Sequence, residues 1–380
     1  MKKNVGKERR RTVPKALRIV LIVIAMLLAA VIGYACFVFL SYYRLPDNRA
    51  LTVEGNTGTA AETGKEYTLV SYNIGFGAYR QDFGFFMDGG TRAKAASSEE
   101  VRETMNGIVS VLKEQDADII LVEEADKYSD RARHVDECAA LRDAFADETY
   151  VFAQNYDSPY LFFPIHDPIG KAVSGLITLT RFGISSSLRR SLPVENSLTK
   201  IVDLDRCYSV SRIPVEGKDE SSGKELVLYT THLSAYVSAQ GDVLDAQLDM
   251  LVSDMRKEYE NGNYVICGGD FNKDMLAPVG GSGRFFDRTG KNDVEMSWTM
   301  PINTALFEGT GLSVISPVDE EAPLPSCRNA DGPYNPDQYF ITVDGFIVSD
   351  NVEVRSSDVI DTDFFWSDHN PVRMEFVLAA

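Results

Sequence analysis

The chain is poor in residues that staple or chelate. Five cysteines and four histidines in 380 residues are too few and too scattered for a disulfide framework, and no CxxC pair suggests zinc. Cys36 lies in an apolar run and Cys267 ends a strand-like run, so both read as small hydrophobes. Cys138, Cys207 and Cys327 stay undecided. No internal repeat is present. Long apolar runs are absent except for one near the N-terminus, which excludes a multi-span membrane protein. A composition of 44% hydrophobic, 25% charged and 10% aromatic residues also excludes a wholly disordered or a collagen-like chain.

Positive charge is scarce beyond the first turns of chain. Residues 1–18 hold eight Lys or Arg against the single acid Glu8. The rest carries 30 Lys and Arg against 55 Asp and Glu, or -25 of a total of -18. The one long apolar run follows this basic head. Residues 19–40, IVLIVIAMLLAAVIGYACFVFL, contain no charged residue. At about 1.5 Å per residue they span a hydrocarbon core of roughly 30 Å. Tyr42, Tyr43 and Arg44 suit the far interface, and the positive-inside rule places the N-terminus in the cytoplasm. A cleaved signal peptide would have a shorter core and an A-x-A site. A lipoprotein site at Cys36 would want a Leu-like residue where Gly33 stands. A buried core helix is rarely apolar on every face. The expected organisation is a basic cytoplasmic head (1–18), a single-pass plasma-membrane anchor (19–41), a flexible stalk (42–65, small, polar and Gly/Thr-rich) and an extracytoplasmic domain (66–380).

Within that domain YTLVSYNI (67–74) reads as a strand, and the Gly- and Phe-rich 75–96 as a long loop. Packing is the default reading of the aromatics at 76–86, ahead of base stacking or lipid contact. Ser97 and Glu100 have capping-box spacing before a helix bearing Val101, Met105, Ile108, Val109 and Leu112 on one face. DIILV (118–122) is a short run suited to a strand buried on both faces. Further strands are expected at 149–154, 173–181, 205–215, 225–231, 264–267, 340–348, 351–355 and 371–378, with a helix at 239–259 and loops or short helices over 273–338. Strict βα alternation is missing, which favours a mixed-sheet α/β sandwich over a barrel of parallel strands.

Polar groups gather at the ends of these strands: Asn73, then Glu123 and Glu124, His232, Asp270 with Asn272, Asp344, and Asp368 with His369. Strand ends converge on one crevice in an α/β sheet. Carboxylates and amides meeting there favour a hard, oxygen-seeking ion such as Mg²⁺ or Mn²⁺, and the histidines add proton-transfer and phosphate-contact capacity. Singly, each residue reads more simply as a turn, a cap or a solvated acid. Glu123 and Glu124 are neighbours, so only one faces the crevice if the strand continues. His134 and His166 are assigned no chemistry.

Taken in order, YNI, DIILVEE, THL, GGDFN, VDGFIVS and SDHNPV resemble the motif series of the endonuclease/exonuclease/phosphatase superfamily over about residues 66–380. SGLITLTR (174–181) resembles the family's central Gly-x-x-x-x-Ser-Arg strand, with Thr180 for Ser. The resemblance implies a four-layer α/β sandwich, two packed mixed β-sheets flanked by helices as in DNase I-like enzymes, here preceded by one transmembrane helix. It implies Glu124 as principal metal ligand with Asn73 beside it, and Asp368 ligating or supporting a metal. Asp270 would orient and deprotonate the attacking water, and Asn272 would hold water or phosphate. His369, oriented by Asp344, would contact a phosphate oxygen, with His232 as a second contact. Where the family usually has Gln, this chain has Glu123, which either adds charge near the ion or points away. The implied activity is Mg²⁺-dependent hydrolysis of a phosphoester outside the membrane, by a phosphodiesterase or phosphatase. A small or lipid-borne substrate is favoured by the acidic domain and a DNA or RNA nuclease is the alternative; no protein partner is evident. A non-catalytic surface protein of the same fold would have lost one of Glu124, His232, Asp270, Asp368 or His369, and none is lost.

Overall fold

A computed structural model describes residues 14–195, 204–217, 223–235, 242–281 and 299–380. Most of the basic head, the start of the helix expected at 239–259 and the middle of 273–338 lie outside the described residues. The chain divides into two compact units, Met1–Tyr43 and Arg44–Ala380. In the first, α1 (Lys15–Ser41) is a 27-residue helix with no buried residue, long and apolar enough to cross a membrane.

The second unit is built on two sheets. One has the order β1 (Arg49–Ala50), β8 (Ser186–Ser191), β9 (Cys207–Glu216), β10 (Glu225–His232), β11 (Tyr264–Asp270), β17 (Asp344–Ser349), β14 (Leu312–Ile315), with β3 (Ala61–Glu62) also on β9. The other runs β18 (Val352–Val359), β19 (Val372–Leu378), β4 (Glu66–Asn73), β5 (Ile119–Asp126), β7 (Val173–Thr180), β6 (Thr149–Asp157), β2 (Val53–Glu54). Two short ladders join β12 (Lys273–Asp274) to β13 (Met300–Pro301) and β15 (Cys327–Arg328) to β16 (Phe340–Ile341).

Both sheets are mixed: β4 and β5 pair in parallel, as do β10 and β11, and most other pairs are antiparallel. Leu69, Ile119 and Leu121 of one sheet pack on Ile213, Leu228, Ile266 and Phe346 of the other. The alternate residues Val70, Tyr72, Ile120 and Val122 face α2 (Ser98–Glu114) and α3 (Glu137–Ala144), meeting Val101, Met105, Ile108, Leu112 and Leu141. Val227, Tyr229 and Val265 likewise meet Leu248, Leu251 and Met255 of α4 (Asp242–Glu260). Helix, sheet, sheet and helix therefore make the expected four layers. The central strands read as unbroken apolar runs because both of their faces are covered.

Two expectations need correction, and two elements were not expected. The stretch read as a stalk pairs with the body: Arg49 lies opposite Arg189, Val53 opposite Val151 and Ala61 opposite Val215. Its polar, Gly/Thr-rich composition reflects edge positions rather than freedom of the chain. Strand β8, SSLRRS, has no apolar signature because its inward residue Arg189 is satisfied by hydrogen bonds, donating to Gln154 O at 2.7 Å and Asp205 O at 2.7 Å. Of the strand expected at 340–348 only 344–348 joins the large sheet, in β17, which runs on to Ser349. Helix α3 was not legible in the sequence. The aromatics Phe76, Tyr79, Phe83 and Phe85 are buried against one another, as the packing reading expects.

Candidate active site

The topology carries the polar strand ends to one end of the sandwich. Asn73 closes β4, His232 closes β10 and Asp270 closes β11. Asp344 opens β17, antiparallel to β11, and Asp368 and His369 sit just before β19, antiparallel to β4. The sheets meet there: Asn73 Nδ2, from one, donates to Asp270 Oδ2 of the other at 3.0 Å.

Glu124 reaches the cleft through a break in its strand. The pairing of β5 with β7 shifts between Val122 and Ala125, and Glu124 has φ 59°, the left-handed region. Alternation thus fails at the two adjacent acids. Glu124 turns toward the cleft, where Asn73 Nδ2 lies 3.4 Å from its Oε1 and His232 Nε2 lies 4.0 Å away. Glu123 points inward and is fully buried; Ser71 Oγ donates to its Oε1 at 3.1 Å and its Oε2 has no partner. Burial, reinforced by Asp344 and Asp270, raises the Glu123 carboxyl well above the usual range.

The rest of the cluster is tightly held. Asp270 Oδ1 accepts from Asn272 N–H at 2.8 Å, and Asn272, at φ 50°, donates its side-chain amide to Leu233 O at 2.9 Å. Asn tolerates that backbone conformation better than most residues. Burial and the nearby Asp344 raise Asp270 to about 7, against the lowering effects of His369, the Asn272 N–H and Asn73. His369 Nδ1 lies 2.8 Å from Asp344 Oδ2, which also accepts from Ser326 Oγ at 2.6 Å. Burial pulls the His369 imidazolium down, but Asp344 outweighs it, and the group titrates well above an ordinary histidine. Its Nε2 is left facing Cys327 Sγ at 3.6 Å and Asp270 Oδ2 at 3.9 Å. His232 behaves oppositely: burial, then the charges of Arg206, His369 and Arg131, lower it well below the ordinary value. One histidine is thus cationic and the other neutral, with His232 Nε2 3.4 Å from Asp270 Oδ2.

Glu124, Asp270, Asp344 and Asp368 put four carboxyl groups around one imidazolium. Glu124 and Asp368 are only partly buried, unlike Asp270 and Asp344. Burial raises Asp368 to about 6, with Glu124 adding to the effect and His369 and Arg328 opposing it. Carboxyl groups crowded in this way fit a divalent cation. Asp270, Asp344 and His369 also lie close enough to share an ion; Asp344 Oδ2 is engaged by His369 and Ser326, and its Oδ1 has no partner. Glu124 and Asp368 are the more open carboxylates, and Asn73, whose Oδ1 accepts from Gly75 N–H at 3.1 Å, turns its Nδ2 toward Glu124 and Asp270.

The eight residues given roles from the sequence, Asn73, Glu124, His232, Asp270, Asn272, Asp344, Asp368 and His369, therefore lie at one end of the fold. Others were missed. Ser326 orients Asp344, and Ser367 Oγ donates to Asn73 O at 2.8 Å. Buried Arg131 is bidentate to Asp126 at 2.8 Å through both nitrogens, behind Glu124. Fully buried Arg328 donates to the carbonyls of Arg80 at 3.0 Å and Tyr79 at 3.3 Å. Nothing in the local sequence marks these residues, because their partners are distant in the chain. Arg181, of the SGLITLTR stretch, is at the opposite end, paired with Asp116 and Asp118. His134 and His166 are exposed and stand apart from the cluster.

The family model described as Endonuclease/Exonuclease/phosphatase family matches residues 70–369. The chain belongs to this family. Its chemistry is the hydrolysis of phosphoric esters, generally with a divalent metal. Among solved structures, the chain is similar to an endonuclease/exonuclease/phosphatase from Beutenbergia cavernae at 17% identity, covering 83% of this chain and 72% of that one with a TM-score of 0.55. It is also similar to ANGEL2, a 2',3'-cyclic phosphatase solved with adenosine-2',3'-vanadate, at 15% identity, 87% and 99% coverage and a TM-score of 0.51. At such identities the likeness is one of fold. No curated protein matches the chain in sequence.

Proposed function

We propose that this family member is a membrane-anchored, Mg²⁺-dependent phosphoesterase working outside the membrane on a small or lipid-borne phosphoester. The observation that carries the reaction is the Asp270–His369–Asp344 arrangement beside the open carboxylates Glu124 and Asp368. In this reading Glu124, Asn73 and Asp368 hold the ion. When bound it supplies charge neutralisation for the phosphoryl oxygens and the leaving group.

The chain's own residues do the rest. Asp270, with both oxygens fixed by Asn272 N–H and Asn73, takes the proton of a water aligned with the phosphorus. Its raised value of about 7 suits a base near neutrality. His369 directs a charged Nε2–H at a non-bridging oxygen, because Asp344 occupies Nδ1 and keeps the ring protonated. His232, neutral, offers a second donor, and Asn272 helps seat the water or phosphate.

The anchor rests on α1 and the basic residues before it. One experiment tests both halves of the proposal. Sealed right-side-out vesicles bearing the full chain should hydrolyse an added impermeant phosphodiester such as bis-p-nitrophenyl phosphate. EDTA outside should abolish this and Mg²⁺ should restore it. Activity in excess EDTA would refute the metal, and activity only after vesicle rupture would refute the orientation.

A further inference from the structure

Within Arg44–Ala380 the exposed large apolar side chains are not scattered. Among the described residues they are Met87, Tyr128, Tyr160, Phe162, Phe163, Ile165, Val279, Met300 and Phe365. Met87 follows β4, and Tyr128 follows β5. Four lie between β6 and β7, Val279 and Met300 follow β11, and Phe365 precedes β19. Because β7 runs antiparallel to β5, with Ser174 opposite Asp126, the β6–β7 loop leaves the sheet at the end where Glu124 lies. Every one of these loops is at that end. Among the described residues, the connections 115–118, 181–185, 261–263 and 350–351 at the other end expose none.

The β6–β7 loop, SPYLFFPIHDPIGKA, is the prominent one. Ile165 is 87% exposed, Phe163 66% and Phe162 56%. Phe163 meets Phe86 of the neighbouring loop with ring centroids 5.6 Å apart, and Lys94 reaches Asp167 at 3.2 Å, so the two loops form one surface. Apolar side chains held in water over several adjoining loops mark an interaction face. The charge around them also departs from the rest of the unit. The described loops that bear them, 74–96, 127–136, 158–172, 271–281, 299–303 and 360–371, carry eight Lys or Arg against nine acids, whereas the unit carries 30 against 55. Aromatic and aliphatic side chains interspersed with cations suit a bilayer interface. A stacking platform for bases would pair its rings with a cationic groove, and neither Ile165 nor Met87 supplies a ring. The chain also carries α1, a helix able to hold it at a membrane.

We infer that the site-bearing end of the sandwich is a lipid-facing surface, with the β6–β7 loop as its inserting segment, and that the phosphoester taken by the site is borne by a lipid. The substrate half rests on the phosphoesterase reading above; the surface half does not.

The test uses the full chain with Cys36→Ser, leaving only buried native cysteines, reconstituted in phosphatidylcholine vesicles. An environment-sensitive fluorophore is placed at Ile165→Cys, or at Asp350→Cys in the exposed turn at the opposite end. Spin-labelled lipid should remove most of the fluorescence at 165 and little at 350. Equal quenching at both positions, or none at 165, overturns the surface. So does a response at 165 to added single-stranded RNA with no quenching by lipid, which would assign the rim to bases. In the activity arm, Phe162→Ser with Ile165→Ser should lower the ratio of vesicle-borne to water-soluble phosphodiester turnover on the order of tenfold. An unchanged ratio overturns the lipid substrate. Absence of all phosphodiester hydrolysis in the parent chain would instead overturn the reaction class, with the quenching result standing by itself.

Discussion

At the scale of single residues, the two histidines show how burial and neighbours divide labour between like groups. His369 has a carboxylate on Nδ1 and stays charged; His232 has none, its Nδ1 has no partner, and it stays neutral. Asp270→Asn and His369→Ala should each lower kcat by roughly 10²-fold or more, the scale of a general base or a charge-stabilising group. His134→Ala should change little, since that ring is exposed and meets only Asp130 and the Tyr128 carbonyl, away from the cluster. Steady-state kinetics on any hydrolysed ester decide this, and a larger effect at His134 would refute the site. The same groups set a stability profile. As pH rises past 6.5 the folded, metal-free chain gives up the His369 proton later than the unfolded chain, which loses it near 6.5, and holds Asp270 protonated up to about 7 where the unfolded group ionises near 3.8. His232 is neutral when folded and partly protonated when unfolded near pH 6.5, a smaller opposing contribution that vanishes as pH rises. The folded state therefore binds more protons, so stability must fall as pH rises. Melting temperatures of EDTA-treated protein should decline from pH 6.5 to 8.5, and a rise would contradict the charge states assigned here.

At the scale of elements, the strand ends carry the chemistry because their backbones break the rules of a strand. In β5 a bulge and a left-handed residue turn Glu124 outward. In β11, Gly269 has φ 146° and lies so close to β10 that an added Cβ would sit 2.0 Å from Thr231 O. Gly269→Ala must push apart the two strands bearing His232 and Asp270. It should cost about 1 to 3 kcal/mol, the range of overpacking in a rigid interior, seen as a lower urea midpoint, and activity should fall with it. A variant of parental stability and activity would show that the strands part easily. These elements also show what could be read in advance. DIILV and YVICGG announce strands because apolar runs covered on both faces leave a plain signature, and the polar residue after each run marks its end. Periodicity could not reveal the bulge, which decides between Glu123 and Glu124. Nor could it reveal β8, whose buried Arg189 is satisfied by carbonyls supplied from other parts of the chain. The supporting residues Ser326, Ser367 and Arg328 acquire meaning only when loops far apart in sequence close over the cleft.

At the scale of the whole molecule, charge argues about substrate where the fold is silent, since one sandwich serves many phosphoesters. The unit Arg44–Ala380 carries 30 Lys and Arg against 55 Asp and Glu. Many of its cations are already engaged: Arg131 with Asp126, Arg189 with Asp205, Arg190 with Asp254, and Arg212 with Glu225 and Glu258. The affinity of proteins for nucleic acid comes largely from cations free to neutralise backbone phosphates and release their counterions. An acidic surface whose arginines are committed to internal pairs supplies little of that term. Four of the six cations on the two loops beside the site are also in ion pairs, Arg80 with Glu103, Arg92 with Asp82 and Glu100, Lys94 with Asp167 and Arg131 with Asp126, so they do not line a track for a polymer. On duplex DNA and single-stranded RNA, kcat/KM should therefore be low at about 0.15 M salt and gain little when salt is reduced to about 0.05 M. A protein making 6–10 phosphate contacts changes affinity by about 10³ to 10⁵ over a comparable fourfold range. Small or lipid-borne esters should be turned over with weak salt dependence. Tight, steeply salt-dependent cleavage of either polymer, with the small esters untouched, would make the chain a nuclease and show that the local field at the cleft overrides the charge of the whole.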